Sequence, residues 1–188
     1  MYTHEAWRSM ATNSVPATVP AASLKLRNTT VFLVRHADVP AGTNPHLNAA
    51  GLTRASELIR VLGAIGIVAV YASEFARTRE TAQPLATHLG LTVKVMTGGD
   101  PAAIVQDIRA HHPGQTVLVV GHSNTVPDII SRCGGPSVPV TERTVFDRLF
   151  VMTLTQLRKA TIQWPPLAVT VPERSIVTLL PLRYGAST

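Results

Sequence analysis

The chain has one cysteine among 188 residues, Cys133, which excludes an intrachain disulfide and any metal site built from several thiolates. Aromatic residues make up only 5% and lysine is scarce. The cationic residues are spread singly, so neither a basic stripe nor a stacking platform for nucleic acid is present. No run approaches the ~20 consecutive apolar residues of a membrane span. Residues 1–28 hold no continuous apolar core of the ~7 or more residues that a secretory signal requires, so the cytoplasm is the expected compartment. Nor is there an internal repeat. Acidic residues are few as well: 11 Asp and Glu stand against 17 Lys and Arg, a net charge of +6. That field favours anionic partners, and phosphorylated small molecules and phosphoproteins satisfy it equally.

With 45% hydrophobic residues the chain can bury one core, and it is too short for two comfortable ones. Residues 1–28, with Pro16 and Pro20 among scattered Ala, Thr and Ser, read as an extension in which Trp7 and Met10 are the available anchors. Residues 29–185 are the expected domain. Thr29 to Val34, Ile67 to Ala72, Leu91 to Met96 and Thr116 to Val120 read as strands. Between them, stripes such as Leu58, Ile59 and Leu62, or Ile104, Val105 and Ile108, mark helices. The alternation predicts an α/β fold, a three-layer sandwich with a mostly parallel central sheet and helices on both faces. Two further strand candidates, Val145 to Thr155 and Ile176 to Leu182, follow, with Pro165, Pro166 and Pro172 between them as turn and edge residues.

Open α/β sheets bind ligands outside the carboxyl ends of their strands, so those ends hold the candidate residues. The first strand stops at Arg35 and His36. Arginine offers a fixed fork of donors to a phosphate or carboxylate, and a neutral imidazole can act as nucleophile or metal ligand. By itself the pair reads equally well as a strand ending in solvated polar residues. The loop Val39 to Leu47, with Pro40, Gly42, Asn44 and Pro45, lies over the crevice. Arg54, in the helix that follows, reads as a solvated charge or an anion ligand. After the second strand, Ser73 is a fair N-cap, and Arg77 falls in a first helical turn, where backbone N–H groups gather and an anion can be held. Arg79 points to another face and is expected in solvent. The third strand leads to Thr97-Gly98-Gly99-Asp100-Pro101, which makes Asp100 an N-cap and also places a carboxyl at the same edge. His111 and His112 are most simply exposed loop.

The fourth strand delivers Gly121-His122-Ser123-Asn124-Thr125. A strand, this pentapeptide and a helix resemble the nucleophile elbow of α/β-hydrolases, with Ser123 as attacker. Thr125 stands where the elbow needs glycine, however, and a triad of that order requires a histidine after Ser123, where the chain has none. His122 is then the functional candidate.

Taken together, Leu33-Val34-Arg35-His36-Ala37, Leu47-Asn48 to Gly51-Leu52-Thr53-Arg54-Ala55, Ser73 to Arg77-Thr78-Arg79-Glu80-Thr81-Ala82 and Val119-Val120-Gly121-His122-Ser123 resemble the histidine phosphatase superfamily, also called phosphoglycerate mutase-like. The resemblance covers roughly residues 30–135, and Asp147 to Val151 and Leu182 to Gly185 resemble the tail of small bacterial members.

The resemblance implies a metal-independent phosphatase without cofactor, acting on a phosphomonoester or on phosphohistidine. His36 is its implied nucleophile, forming a phosphohistidine while its other nitrogen donates to a backbone carbonyl. Arg35 and Arg77 clamp the non-bridging oxygens, and His122, protonated beside that charge, completes a pocket suited to phosphate or sulfate. Asp100 is the implied general acid, with Asp38 and Glu142 as other carboxyls in reach, although some members that act on phosphohistidine lack this acid. Asn44 and Ser123 are placed to donate to the phosphoryl group, or else to form an Asx turn and an N-cap. Mutase-type transfer and a non-catalytic phosphoryl-binding module remain as alternatives. Neither nucleic acid nor membrane is an expected partner.

Overall fold

Strand β1, Leu26–Arg35, changes character along its length: Thr29 and Val31 are buried between more open neighbours, whereas Leu33 and Val34 are buried together. Its first half is covered on one face only, and its carboxyl half is covered on both. The structure is a computed structural model that describes residues 26–97, 100–157, 160–164, 167–171 and 174–185. Leu26 to Asn28, assigned by sequence to the extension, belong to β1; the rest of that segment, with Trp7 and Met10, lies outside the described residues.

Helix α1 (Ala49–Leu62) leads to β2 (Ile67–Ser73), α2 (Ala76–His88), β3 (Val93–Met96), α3 (Pro101–His111), β4 (Thr116–Gly121) and α4 (Thr125–Arg132). The second half adds β5 (Arg148–Leu157), β6 (Ala160–Trp164), β7 (Leu167–Val171) and β8 (Arg174–Arg183). The main sheet has the order β3-β2-β4-β1-β5-β8. Its first four strands are parallel, and β5 and β8 are antiparallel additions. Strands β6 and β7 pair antiparallel as a separate two-stranded sheet.

Helices cover both faces, as the alternation predicts. On one side Leu58 and Leu62 of α1 and Leu85 of α2 pack on Val34, Leu118 and Leu149. On the other, Ile104 and Ile108 of α3 and Ile129 and Ile130 of α4 pack on Val31, Leu33 and Val119. Each fully buried Leu or Ile contributes roughly 1.5–3 kcal/mol of transfer free energy. Among the described residues no helix is long and apolar enough to cross a membrane.

At two of the strand starts that differ from the sequence reading, the reason is local. Leu91 is not in β3, because its N–H returns to the Ala86 carbonyl at 2.8 Å and closes the end of α2, with Gly90 at φ 67° making the turn. Val145 is not in β5, since its N–H bonds the Glu142 carbonyl at 3.1 Å. Pro165, Pro166 and Pro172 lie outside the described residues, while Pro181 sits in β8, the edge strand, where a missing N–H is tolerated.

Candidate active site

Parallel pairing aligns Arg35 of β1 with Gly121 of β4, and Ala72 of β2 with Val120, so three neighbouring strands end together. The His36 N–H extends the ladder by donating to the Gly121 carbonyl at 2.9 Å. His36 is 5% exposed as a residue, with its ring Nδ1 2.8 Å from the Ala37 carbonyl. A carbonyl only accepts, so Nδ1 carries the proton and Nε2 keeps a free lone pair. Burial pushes the His36 pKa down to about 3; the Ala37 bond opposes this, and Arg35, His122 and Arg77 lower it further. The imidazole is neutral across the physiological range.

Arg35 is anchored by the loop ahead of β5. Its Nη1 donates to the carbonyls of Glu142 (2.7 Å), Arg143 (3.0 Å) and Val145 (3.1 Å), and its guanidinium lies 4.2 Å from the centre of the Phe146 ring. Arg35 Nε is buried without a hydrogen-bond partner among the described residues. Three carbonyls thus fix the orientation of the fork while other donors stay uncommitted.

From the other side, Arg77 Nη2 lies 3.3 Å from His122 Nδ1, and Ser73 Oγ lies 2.9 Å from His122 Nε2. Arginine only donates, so Nδ1 is the acceptor and Nε2–H donates to Ser73, whose hydroxyl continues to Thr78 Oγ1 at 2.7 Å. Thr78 Oγ1 in turn donates to the Phe75 carbonyl at 2.8 Å. Ser73 is therefore not the cap of α2: Phe75 occupies that position without a side-chain bond, and the buried Ser73 hydroxyl orients His122. Burial first, and then Arg77, push the His122 pKa down to about 4. The His122 ring is thus neutral in the free protein. The ring centres of His36 and His122 are 5.5 Å apart.

The turn after His36 is braced from behind. Asp38 Oδ2 accepts from Arg54 Nε at 2.6 Å, and Arg54 Nη1 also reaches the Tyr184 carbonyl at 3.3 Å. Arg54 is 5% exposed, so it is neither a solvated charge nor a ligand facing the cleft. Helix α1 can approach Asp38 because residue 51 is glycine: a Cβ there would sit 2.2 Å from the Asp38 carbonyl oxygen. Thr81 Oγ1 accepts from the Ala37 N–H at 2.8 Å and donates to the Arg77 carbonyl at 2.7 Å, which ties the His36 turn to α2. Asn44 Oδ1 accepts from the Ala76 N–H at 3.1 Å, and Glu80 bonds His46 and the Leu47 N–H, so both hold the loop over the crevice.

These elements surround a cleft of about 560 Å³ lined by Arg35, His36, Arg77 and His122, the four residues that sequence placed at three strand ends. Ser123 also lines it. Asn44 does not, and its oxygen accepts a backbone proton, so it braces the loop where sequence had it donating to a phosphoryl group. Asp100 is outside as well: it is exposed, and its Oδ1 caps α3 through the N–H groups of Ala102 (2.8 Å) and Ala103 (3.3 Å). Asp38 is committed to Arg54, and Glu142 is exposed and off the lining. No carboxylate lines the cleft among the described residues, and no group of three or more His, Cys, Asp and Glu side chains there could hold a metal. Arg143 and Phe146, which sequence did not single out, complete the wall.

Residues 31–98 match the family model of the histidine phosphatase superfamily (branch 1). The fold matches the mycobacterial glucosyl-3-phosphoglycerate phosphatase with a TM-score of 0.55 and 14% identity, over 68% of this chain and 91% of that one. Its fold is that of the histidine phosphatase superfamily. A second solved structure, mycobacterial hydrolase 2, aligns with a TM-score of 0.57 and 13% identity over 86% of this chain and 94% of its own. SixA from Agrobacterium tumefaciens, assigned as a phosphohistidine phosphatase, aligns with a TM-score of 0.51 and 20% identity over 66% and 91%. No curated protein matches the sequence. The segment matched by the histidine phosphatase model holds Arg35, His36 and Arg77; His122 lies beyond it and joins them through the pairing of β1 with β4.

Proposed function

We propose that the protein is a metal-independent phosphatase that carries the phosphoryl group on His36. The observation that supports this most directly is the neutral His36 ring, its Nδ1 tied to the Ala37 carbonyl and its remaining nitrogen beside two arginines. The Nε2 lone pair attacks phosphorus, and the bond to the leaving group breaks with its electron pair departing on that group. Arg35 and Arg77 meet the negative charge of the equatorial oxygens, the part of a loose phosphoryl-transfer transition state that fixed donors stabilise best. Water then attacks the phosphohistidine, the P–N pair returns to Nε2, and the water proton leaves with phosphate or solvent.

The missing carboxylate narrows the leaving group. Departure of an alkoxide near neutral pH needs a proton, and no described side chain in the cleft is a carboxyl able to supply one. Groups that leave without such help fit better: the imidazole of a phosphohistidine, an acyl or an aryl oxygen. The similarity to SixA agrees with the first of these.

Incubation with a labelled aryl phosphate or phosphohistidine peptide, followed by a rapid quench, tests the reading. An acid-labile, base-stable label on His36 is the expected result, and His36→Ala is expected to lower turnover by at least about 10³-fold. Normal hydrolysis by His36→Ala would overturn the assignment. Binding of the phosphorylated compound with neither label nor turnover would leave a phosphoryl-binding module.

A further inference from the structure

We infer that Arg143 recognises a second anionic group, carried on the leaving-group side of the substrate. The inference rests on the reading of the cleft as a phosphoryl site. Three arginines line that cleft and no described carboxylate lines it with them. Arg35 and Arg77 flank the two histidines, and their charge matches that of one phosphoryl dianion. Arg143 is left over.

Its position gives the surplus a direction. Arg143 belongs to the turn ahead of β5 whose carbonyls hold Arg35, so its main chain serves the phosphoryl clamp at a 3.0 Å contact. The side chain is exposed at the cleft wall, and its guanidinium makes no hydrogen bond or ion pair with the described residues. Its charge is close enough to Arg35 to lower that group's pKa. A cation so placed destabilises its neighbour, and a carboxylate or second phosphate on the bound molecule would offset the repulsion. Val39 to Thr43 and Pro45, which also line the cleft, carry no ionisable group to compete for the bound anion. The substrate class this selects is a phosphorylated compound whose departing part carries its own negative charge.

Phenyl phosphate and 4-carboxyphenyl phosphate test this as a matched pair. The wild-type protein is expected to favour the carboxylated compound in kcat/KM, and the preference should weaken with added salt. In Arg143→Gln the preference is expected to fall by about fivefold or more, and Arg143→Lys, which keeps the charge, should restore part of it. Equal losses on both compounds, or a preference that survives in Arg143→Gln, would overturn the inference. Calorimetry with phenylphosphonate and 4-carboxyphenylphosphonate makes the same comparison by binding alone. An inactive protein that showed the same Arg143-dependent preference would refute the phosphatase reading and keep the second-anion site.

Discussion

His36 and His122, whose rings lie 5.5 Å apart, are held as opposite tautomers by partners that can each play only one part. The Ala37 carbonyl can only accept, so His36 carries its proton on Nδ1; Arg77 can only donate, so His122 carries its own on Nε2. Imidazole nitrogen NMR should show both rings neutral from about pH 8 down to about pH 5, with reversed Nδ1 and Nε2 shifts. A ring that titrates near 6.5, or matching shift patterns, would contradict the arrangement.

Stability should fall in mild acid for the same reason. The folded values of about 3 for His36 and about 4 for His122 lie below the ordinary 6.5. Between those limits the unfolded chain binds protons that the folded one does not, so the contribution is complete above about pH 6.5 and shrinks as pH drops toward 4. Urea midpoints at pH 7, 5.5 and 4.5 should show the decline, and His36→Gln or His122→Gln should flatten it. A decline as steep in the variants as in the wild type would assign it to other groups.

Arg54→Ala leaves Asp38 as an uncompensated buried carboxylate, which typically costs about 3–5 kcal/mol. Because Asp38 lies two residues after His36, turnover should fall as well, while simultaneous replacement of Asp38 by Asn should recover part of the stability. Thermal unfolding of the two single variants and the double variant measures the coupling.

Thr81→Val preserves shape but removes the acceptor for the buried Ala37 N–H. An unsatisfied buried donor costs about 1–3 kcal/mol. Activity should drop more than for a substitution of equal stability cost elsewhere in α2, because the same hydroxyl joins the His36 turn to the segment bearing Arg77. Equal losses would make Thr81 a purely structural residue.

Asp100→Ala removes a helix cap worth about 1 kcal/mol. Turnover of an aryl phosphate should stay within about twofold of wild type, since the carboxylate faces its own helix. A loss of tenfold or more would restore Asp100 as the proton donor.

Arg35, His36, Arg77 and His122 were legible in the sequence because each follows an apolar run closely, and strand termini in an α/β sheet converge whatever the intervening loops do. Asp100 met the same criterion and faces elsewhere: being near the rim does not decide which way a side chain turns, and the unpaired N–H groups of α3 were nearer. Arg54 was unreadable for the opposite reason. It has helical spacing and a charge, and only the tertiary fold brings Asp38 and the Tyr184 carbonyl to it. Ser73 followed the rule for caps until a buried imidazole competed for its hydroxyl. Arg143 lies in an irregular turn with neither periodicity nor a neighbouring motif, so nothing in the linear order marked it. The antiparallel β5 and β8 were visible only as apolar segments, since strand direction depends on a connection whose path the sequence does not give.

The alignment of Arg35 with Gly121 also makes the sheet a measuring rod for the chemistry. Neighbouring strands lie ~4.8 Å apart, and the separation of the two imidazoles follows that spacing. An insertion or deletion of one residue in the apolar middle of β1 or β4, far from any reacting atom, would turn one imidazole to the opposite side of the sheet. Length changes are therefore tolerable in the connections and forbidden in these two strands, even where the inserted residue would itself be a harmless valine.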